Sequence, residues 1–162
     1  MADVIEQCAA LPQREFHTGE VILEEGKRSG LLYVLASGSV EVLKGDLQVA
    51  TVDTPGAFFG EVSALLDMPH MATVRALTDA TLFVATDSQA FLDAHQEIAL
   101  SLARLLAKRL HSVTTYLVDL KRQFEDHDNH LSIVDEVLET LVHHQGVESE
   151  PGSDRCPDPK VE

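Results

Sequence analysis

The sequence predicts a mainly β domain, an antiparallel sandwich or barrel, with flanking helices and a long helix near its C-terminal end. Two patterns support this fold class. Between residues 13 and 97, short β-rich runs alternate with turns that contain glycine, proline or aspartate, which is typical of antiparallel sheets. Further along the chain, apolar residues recur in alternating steps of three and four, which indicates an amphipathic helix.

The predicted elements follow in chain order. Residues 1–12 form an N-terminal helix that ends near Pro12. Strands of the β domain, residues 13–97, are expected at 15–17, 21–24, 31–36, 39–43, 47–52, 72–76 and 80–85. The run 31–35 is apolar at every position, which predicts a strand buried on both faces. Asp87 or Ser88 is expected to cap the helix that follows because both side chains accept a hydrogen bond from a helix N-terminus.

Residues 98–144 are predicted to form a long helical segment that makes a dimer contact. Its apolar seam keeps a heptad pattern over about five heptads and includes Leu106, Leu110, Val113, Leu117, Leu120 and Phe124. A helix of about 45 residues would be about 68 Å long. Because a small domain is narrower than this, part of the seam needs a partner outside its own domain. The alternative is that the seam covers the β domain.

A weak point in this helix lies near residues 126–130, which are all polar. Either the helix continues with one polar seam position, or it breaks there and Asn129 caps a second helix that folds back. We favour the break. Residues 145–162 are rich in glycine, proline, serine and acids, and this composition predicts a disordered acidic tail.

Composition excludes several classes of protein. The 27 acids against 12 Lys and Arg give a formal charge of −15, which opposes a nucleic-acid partner because such binding depends on basic residues. No apolar run reaches the roughly 18 residues of a membrane span, and we see no signal peptide. Cys8 and Cys156 lack the spacing of a metal or redox site. We therefore expect a cytoplasmic protein without a membrane contact, and no metal site.

The segment 58–76 is the most informative part of the chain. It places Phe59-Gly60-Glu61 before one turn of apolar helix that begins at Val62, and a strand-like Ala72-Thr73-Val74 follows a loop that contains Pro69. Glycine lets the backbone approach a ligand closely, and N–H groups at a helix start, such as those of Ser63 and Ala64, form an anion site. A carboxylate in the same loop can accept a hydrogen bond from a sugar hydroxyl.

This segment closely resembles the phosphate-binding cassette of the cyclic nucleotide-binding domain family, and the resemblance covers residues 16–124. Five ordered glycines and three further motifs also fall at the family's spacing: Gly19, Gly26, Gly38, Gly56 and Gly60, then Tyr33-Val34-Leu35, Gly38-Ser39-Val40 and Pro55-Gly56. The resemblance implies an eight-stranded antiparallel jelly-roll barrel with one helix before it and two after it, the last of which often dimerises.

The resemblance also implies a ligand, cAMP or cGMP, and a set of residues that would bind it. In this role we expect Phe59, Gly60, Glu61, Val62, Ser63, His70, Met71, Ala72 and Thr73. Glu61 matches the acid that accepts from the ribose 2′-hydroxyl, or it serves only as a carboxylate at the start of a short helix.

Two departures from the family pattern affect this expectation. His70 stands where the family places an arginine against the cyclic phosphate, and histidine is largely neutral at neutral pH. The plainer reading of His70 is a partly exposed loop histidine. Met71 is expected to crowd or fill the pocket. Arg75 is expected to point outward because Val74 points inward and strand residues alternate.

Two functions remain open from the sequence. In the first, favoured here, the chain is a dimeric regulatory or interaction module, not an enzyme, whose affinity for cyclic nucleotides is weak or lost. In the second it is a working cAMP or cGMP sensor that signals to a partner protein. A helix-turn-helix module would not fit after residue 126, so we do not expect sequence-specific DNA binding.

Overall fold

The structure, a computed structural model, describes residues 2–123 and 131–143. The chain divides into two compact units, residues 1–105 and residues 106–162. In chain order the elements are α1 (Ala2–Cys8), β1 (Gln13–Phe16), β2 (Val21–Leu23), β3 (Leu32–Ser37), β4 (Val40–Lys44), β5 (Leu47–Val52), β6 (Phe58–Phe59), α2 (Glu61–Leu66), β7 (Thr73–Ala76), β8 (Ala80–Ala85), α3 (Ser88–Ala94), α4 (Gln96–Gln123) and α5 (Leu131–His143).

The strands of the first unit form two antiparallel four-stranded sheets. One sheet has the order β1-β8-β3-β6 and the other has the order β2-β7-β4-β5. Consecutive strands β4 and β5 pair as a hairpin, whereas β1 pairs with β8 and β2 pairs with β7 from far along the chain. This arrangement, with its flanking helices, confirms the predicted jelly-roll fold class.

The core lies between the two sheets. Every second side chain of a strand points to the same face of its sheet, so each strand contributes alternate side chains to this core. Strand β3 is central in its sheet, and Leu32, Val34 and Leu35 have no exposed surface, so the predicted burial on both faces is confirmed. Burying an aliphatic side chain of this size contributes about 1.5–3 kcal/mol. The shared core consists of Phe16, Ile22, Leu23, Tyr33, Leu35, Val40, Phe59, Val74, Ala76, Ala80, Leu82 and Val84.

The predicted cap of the helix that follows β8 was confirmed. Asp87 caps α3, and its Oδ1 accepts from the Ala90 N–H at 3.0 Å. The sequence did not reveal β6, which has only two residues and pairs with Tyr33 and Val34 of β3. A two-residue strand is too short to show a period.

Helix α4 has 28 residues and is therefore about 42 Å long. The expected break near 126–130 lies outside the described residues, as do Phe124 of the seam and the tail 145–162. Lys121 and Asp135 form an ion pair, although one straight helix would place them about 21 Å apart. Helices α4 and α5 therefore do not form one straight helix.

In the described part of the chain, no helix combines the length and the apolar character that a membrane crossing requires.

The turn between β3 and β4 depends on Gly38, and it gives a matched test of close packing. Gly38 and Gly19 have the same φ of +88°, but a Cβ on Gly38 would lie 2.3 Å from the Asp79 carbonyl oxygen, whereas a Cβ on Gly19 would have nothing within 4 Å.

In Gly38→Ala and in Gly19→Ala alike, holding alanine in the left-handed backbone conformation costs about 1–2 kcal/mol. We expect Gly38→Ala to lose at least about 1 kcal/mol more of the free energy of unfolding, as measured by urea denaturation. Equal losses would contradict the role of close packing.

Candidate functional site

The cassette, residues 58–76, begins at the end of β6 with a sharp change of backbone direction. Gly60 has a φ of +83° and forms the N-cap of α2. A Cβ at this position would lie 2.6 Å from the Leu31 carbonyl oxygen, so the chain packs here too closely for any side chain. Glycine is therefore required by the approach of the β2–β3 loop, before any ligand is considered.

Helix α2 carries two buried polar side chains, Glu61 and Ser63. The hydroxyl of Ser63 donates to the Met68 carbonyl oxygen at 2.5 Å and so closes the turn after the helix. The sequence suggested that the Ala64 N–H is available to an anion, but it donates to the Gly60 carbonyl oxygen at 2.9 Å. The available anion donors are thus fewer than expected.

His70 is buried, with only 5% of its surface exposed, which corrects the reading of a partly exposed loop histidine. The ring Nε2 lies 2.8 Å from the hydroxyl oxygen of Ser29, and that same oxygen accepts from the Leu31 N–H at 3.2 Å. Ser29 was not singled out from the sequence because a serine in a glycine-containing loop gives no signal of such a contact.

The environment of His70 favours its neutral form. Burial lowers the pKa of this histidine below its usual value because the charged ring loses hydration. The ring Nδ1 is buried and has no hydrogen-bond partner among the described residues. A proton added to the neutral ring would therefore place a charge where nothing in the described part of the chain compensates it.

Backbone hydrogen bonds join the β2–β3 loop, residues 24–31, to the connection between α2 and β7, residues 67–72. The Gly26 N–H donates to the His70 carbonyl oxygen, and the His70 N–H donates to the Lys27 carbonyl oxygen, both at 2.9 Å. At the end of the connection, the Glu25 N–H donates to the Thr73 hydroxyl at 3.0 Å. The position of the His70 ring follows from these bonds.

Met71 does not fill a pocket as the sequence suggested, since 52% of its surface is exposed. Its carbonyl oxygen accepts from Lys44 Nζ at 2.6 Å, so the backbone at this position is anchored while the side chain faces solvent. Neighbouring Ala72 and Thr73, like Val62 on α2, are half-buried. Phe59 belongs to the core between the sheets.

Arg75 points away from the core, as predicted, while Val74 is buried. Its Nε donates to Glu41 Oε1 at 2.7 Å and its Nη2 lies 2.6 Å from the same oxygen. Glu41 is buried on β4 directly opposite Arg75 on β7. The sequence did not identify this pair because the strand register that brings β4 beside β7 is a property of the fold.

Cations near the cassette are all engaged by acids. Between residues 20 and 76 the sequence has four Lys and Arg side chains, and each forms an ion pair: Lys27 with Glu24, Arg28 with Asp67, Lys44 with Glu25 and Arg75 with Glu41. The hydrogen bond from Lys44 also lowers the pKa of Glu25. A phosphate ligand would have to compete with these carboxylates.

In the described part of the chain, no group of three or more His, Cys, Asp and Glu side chains is placed to hold a metal ion. His127, His130 and His144 lie outside the described residues.

The domain combines two antiparallel four-stranded sheets with a left-handed glycine and a buried acid that open a short helix. The family model of the cyclic nucleotide-binding domain matches residues 13–97, and the chain belongs to this family. The resemblance inferred from the cassette and the ordered glycines is thus confirmed.

Curated relatives are similar to the chain over the same region. A cAMP-dependent protein kinase regulatory subunit of Debaryomyces hansenii is 42% identical over 77 residues, which cover 48% of this chain and 17% of the relative. An uncharacterized ABC transporter ATP-binding protein of Mycobacterium bovis is 38% identical over 77 residues, which cover 45% of this chain and 23% of the relative. The chain thus matches less than a quarter of the length of either relative.

Solved structures extend the likeness to the fold. The catabolite activator protein of Thermus thermophilus aligns with a TM-score of 0.64 and 27% identity over 75% of this chain and 60% of that chain. The regulatory subunit of a cAMP-independent protein kinase A from Trypanosoma brucei aligns with a TM-score of 0.52 and 26% identity over 59% of this chain and 35% of that chain.

The buried neutral histidine predicts a pH-dependent contribution to stability. Its folded-state pKa lies below the unfolded value, so the native state binds fewer protons than the unfolded state through this group. The stabilising contribution of His70 is therefore complete above about pH 6.5 and is lost as pH falls through the folded-state pKa. The difference in free energy of unfolding between the wild type and His70→Gln should shrink from about pH 7.5 to about pH 5.

The sequence has seven other histidines, which is why the difference between the two proteins is the quantity to measure, by urea denaturation at each pH. His17→Gln is the matched control, because His17 is exposed near Asp79. A difference for His70→Gln that stays constant with pH would contradict the argument.

Proposed function

We propose that this chain is a dimeric regulatory or interaction module, not an enzyme, whose affinity for cyclic nucleotides is weak or lost. The observation that carries the proposal is His70. At the position where the family places an arginine, the chain has a buried ring that is hydrogen-bonded to Ser29 and has a lowered pKa.

The energetic argument compares the two side chains at this position. Arginine carries a permanent charge and donates two parallel hydrogen bonds to a phosphate, and histidine in its neutral form offers neither. Losing a charged hydrogen bond costs about 1.5–3 kcal/mol, which is about 10- to 150-fold in affinity. Arg75 does not substitute for the missing arginine, because it pairs with the buried carboxylate of Glu41.

Restoring the arginine tests the proposal. We expect His70→Arg to bind cAMP or cGMP at least about 10-fold more tightly than the wild type, because it returns a charged hydrogen bond to the phosphate. Isothermal titration calorimetry near neutral pH measures this. His70→Gln is the control, since it removes the ring without adding charge. If His70→Arg binds no better than His70→Gln, the missing charge is not what limits affinity, and the packing around Gly60 and Glu61 is the next cause to examine.

The alternative function is a working cyclic nucleotide sensor that signals to a partner protein. The retained Gly60 and buried Glu61 support it, together with membership of the family. In this case the phosphate would bind better to protonated His70, so affinity in the wild type would rise as pH falls from about 8 to about 6. Titrations at both pH values decide between the functions. If no binding is found with millimolar ligand at pH 8 and none at pH 6, the sensor is rejected.

The dimer is proposed to form through the seam of the C-terminal helical segment. On α4, Leu110 is 46% exposed and Val113 is 51% exposed, while Leu106, Leu117 and Leu120 are half-buried. A second chain would remove this apolar surface from water, which is the main driving force for association.

Light scattering at tens of micromolar tests the dimer. We expect the wild type to have twice the mass of one chain, and Leu110→Glu combined with Val113→Glu to be monomeric because charges would be buried without partners. Thr115→Glu is the matched control on another face of the same helix and should leave the dimer intact. A wild type that is strictly monomeric would reject this part of the proposal.

We further propose a cytoplasmic location, since Cys8 is a free thiol that lies fully buried, as expected in a reducing compartment. The partner would be a protein rather than a nucleic acid, because the formal charge of −15 opposes binding to a polyanion.

A further inference from the structure

Ser29 and His70 form a side-chain contact with the geometry of a nucleophile and its base. The ring Nε2 of His70 lies 2.8 Å from the Ser29 hydroxyl oxygen, within the range of about 2.6–3.2 Å in which a base takes a proton from a hydroxyl. Ser29 is exposed to solvent, whereas His70 is buried. An electrophile can therefore approach the hydroxyl oxygen from outside while the base lies on its inner side.

The backbone beside Ser29 favours negative charge on the hydroxyl oxygen. This oxygen accepts a hydrogen bond from the Leu31 N–H at 3.2 Å. Such a donor stabilises the oxygen more strongly as negative charge develops on it. The same bond uses one lone pair of the oxygen and leaves the hydroxyl hydrogen available for donation to His70 Nε2. One contact thus acts on the oxygen and the other on its proton.

Backbone hydrogen bonds hold the His70 ring beside Ser29. The His70 N–H donates to the Lys27 carbonyl oxygen, and the His70 carbonyl oxygen accepts from the Gly26 N–H, both at 2.9 Å. Gly26, Lys27 and Ser29 belong to the same loop, so these bonds constrain the distance between the hydroxyl and the ring. Burial lowers the pKa of His70 and so keeps the ring in the neutral form, which is the form that accepts a proton.

We propose that Ser29 is a reactive hydroxyl that accepts an acyl group from an activated ester or thioester, with His70 as its base. The Ser29 oxygen attacks the carbonyl carbon of the donor, and the hydroxyl proton moves to His70 Nε2. The carbon–oxygen or carbon–sulfur bond of the donor then breaks, and the leaving alcohol or thiol takes the proton from the ring. One ester bond forms on Ser29, and nothing is oxidised or reduced.

The charge on the protonated ring is compensated during the reaction itself. The ring Nδ1 is buried and has no hydrogen-bond partner among the described residues, so no carboxylate there supports a charged ring. The tetrahedral intermediate on Ser29 carries a negative oxygen, which offsets the positive ring while it holds the proton. Without a carboxylate on Nδ1, we expect an acceleration near the lower end of the about 10²–10⁴-fold that a positioned base supplies.

Acylation would add a group to the junction between the β2–β3 loop and the α2–β7 connection, directly beside His70. It is a stoichiometric reaction, with one acyl group for each chain, and it does not make the chain an enzyme. It requires only the contact between Ser29 and His70, so it is independent of cyclic nucleotide binding and of the dimer.

Reaction of the full chain with p-nitrophenyl acetate, a small activated ester, tests the proposal. Mass spectrometry of peptides locates the acetyl groups, and hydroxylamine distinguishes esters on serine, which it cleaves, from amides on lysine, which it does not. Ser37 is the internal reference, because it is exposed and none of the hydrogen bonds within the described residues joins it to a histidine. We expect Ser29 to be acetylated at least about 100-fold faster than Ser37 near neutral pH.

Histidine variants show whether His70 is the base. His70→Gln should slow the acetylation of Ser29 by about 100-fold, whereas His17→Gln, which removes an exposed histidine, should leave the rate unchanged.

The pH profile of the wild type gives a second measurement that does not depend on the folding of a variant. The rate at Ser29 should rise with pH through the folded-state pKa of His70, which lies below its usual value, and should level off above about pH 6.5. The rate at Ser37 should instead keep rising with the concentration of hydroxide.

Three outcomes would overturn the proposal. The first is that Ser29 is acetylated no faster than Ser37. The second is that His70→Gln leaves the rate at Ser29 unchanged. The third is a rate at Ser29 that keeps rising with hydroxide concentration as it does at Ser37, because hydroxide rather than His70 would then take the proton.

Discussion

The paired backbone hydrogen bonds between the β2–β3 loop and the α2–β7 connection constrain the candidate site more than any other interaction. Gly26 donates to the His70 carbonyl oxygen, and His70 donates to the Lys27 carbonyl oxygen. Arg28 adds a bond to the Asp67 carbonyl oxygen at 2.6 Å. Each such bond contributes about 0.5–1.5 kcal/mol, and together they hold the cassette in place by contacts within the protein itself.

The fold of the domain does not depend on the side chain at position 70. The two sheets depend on strand register and on apolar burial, and neither involves His70. The ring instead occupies a buried position beside Ser29, where a charged side chain would need a compensating anion. The fold and the ligand site are therefore separable, and membership of the family does not by itself establish binding.

The basic side chains near the cassette are also held by contacts within the protein itself. The four basic side chains between residues 20 and 76 are each paired with an acid, and these pairs connect neighbouring loops and strands. The Arg75–Glu41 pair forms across two strands that are adjacent only in the folded sheet. Such pairs balance these four cations with carboxylates.

The sequence by itself determined the fold class, the doubly buried strand β3, the cap at Asp87 and the outward direction of Arg75. These features depend on periodic patterns or on side chains that act on their nearest backbone neighbours. Only the tertiary structure decided that His70 is buried, that Met71 is exposed and that Ser29 and Glu41 take part in the site. Loop residues have no period, and their surroundings are set by segments distant in the chain. The burial of one loop side chain therefore depends on the packing of the whole domain.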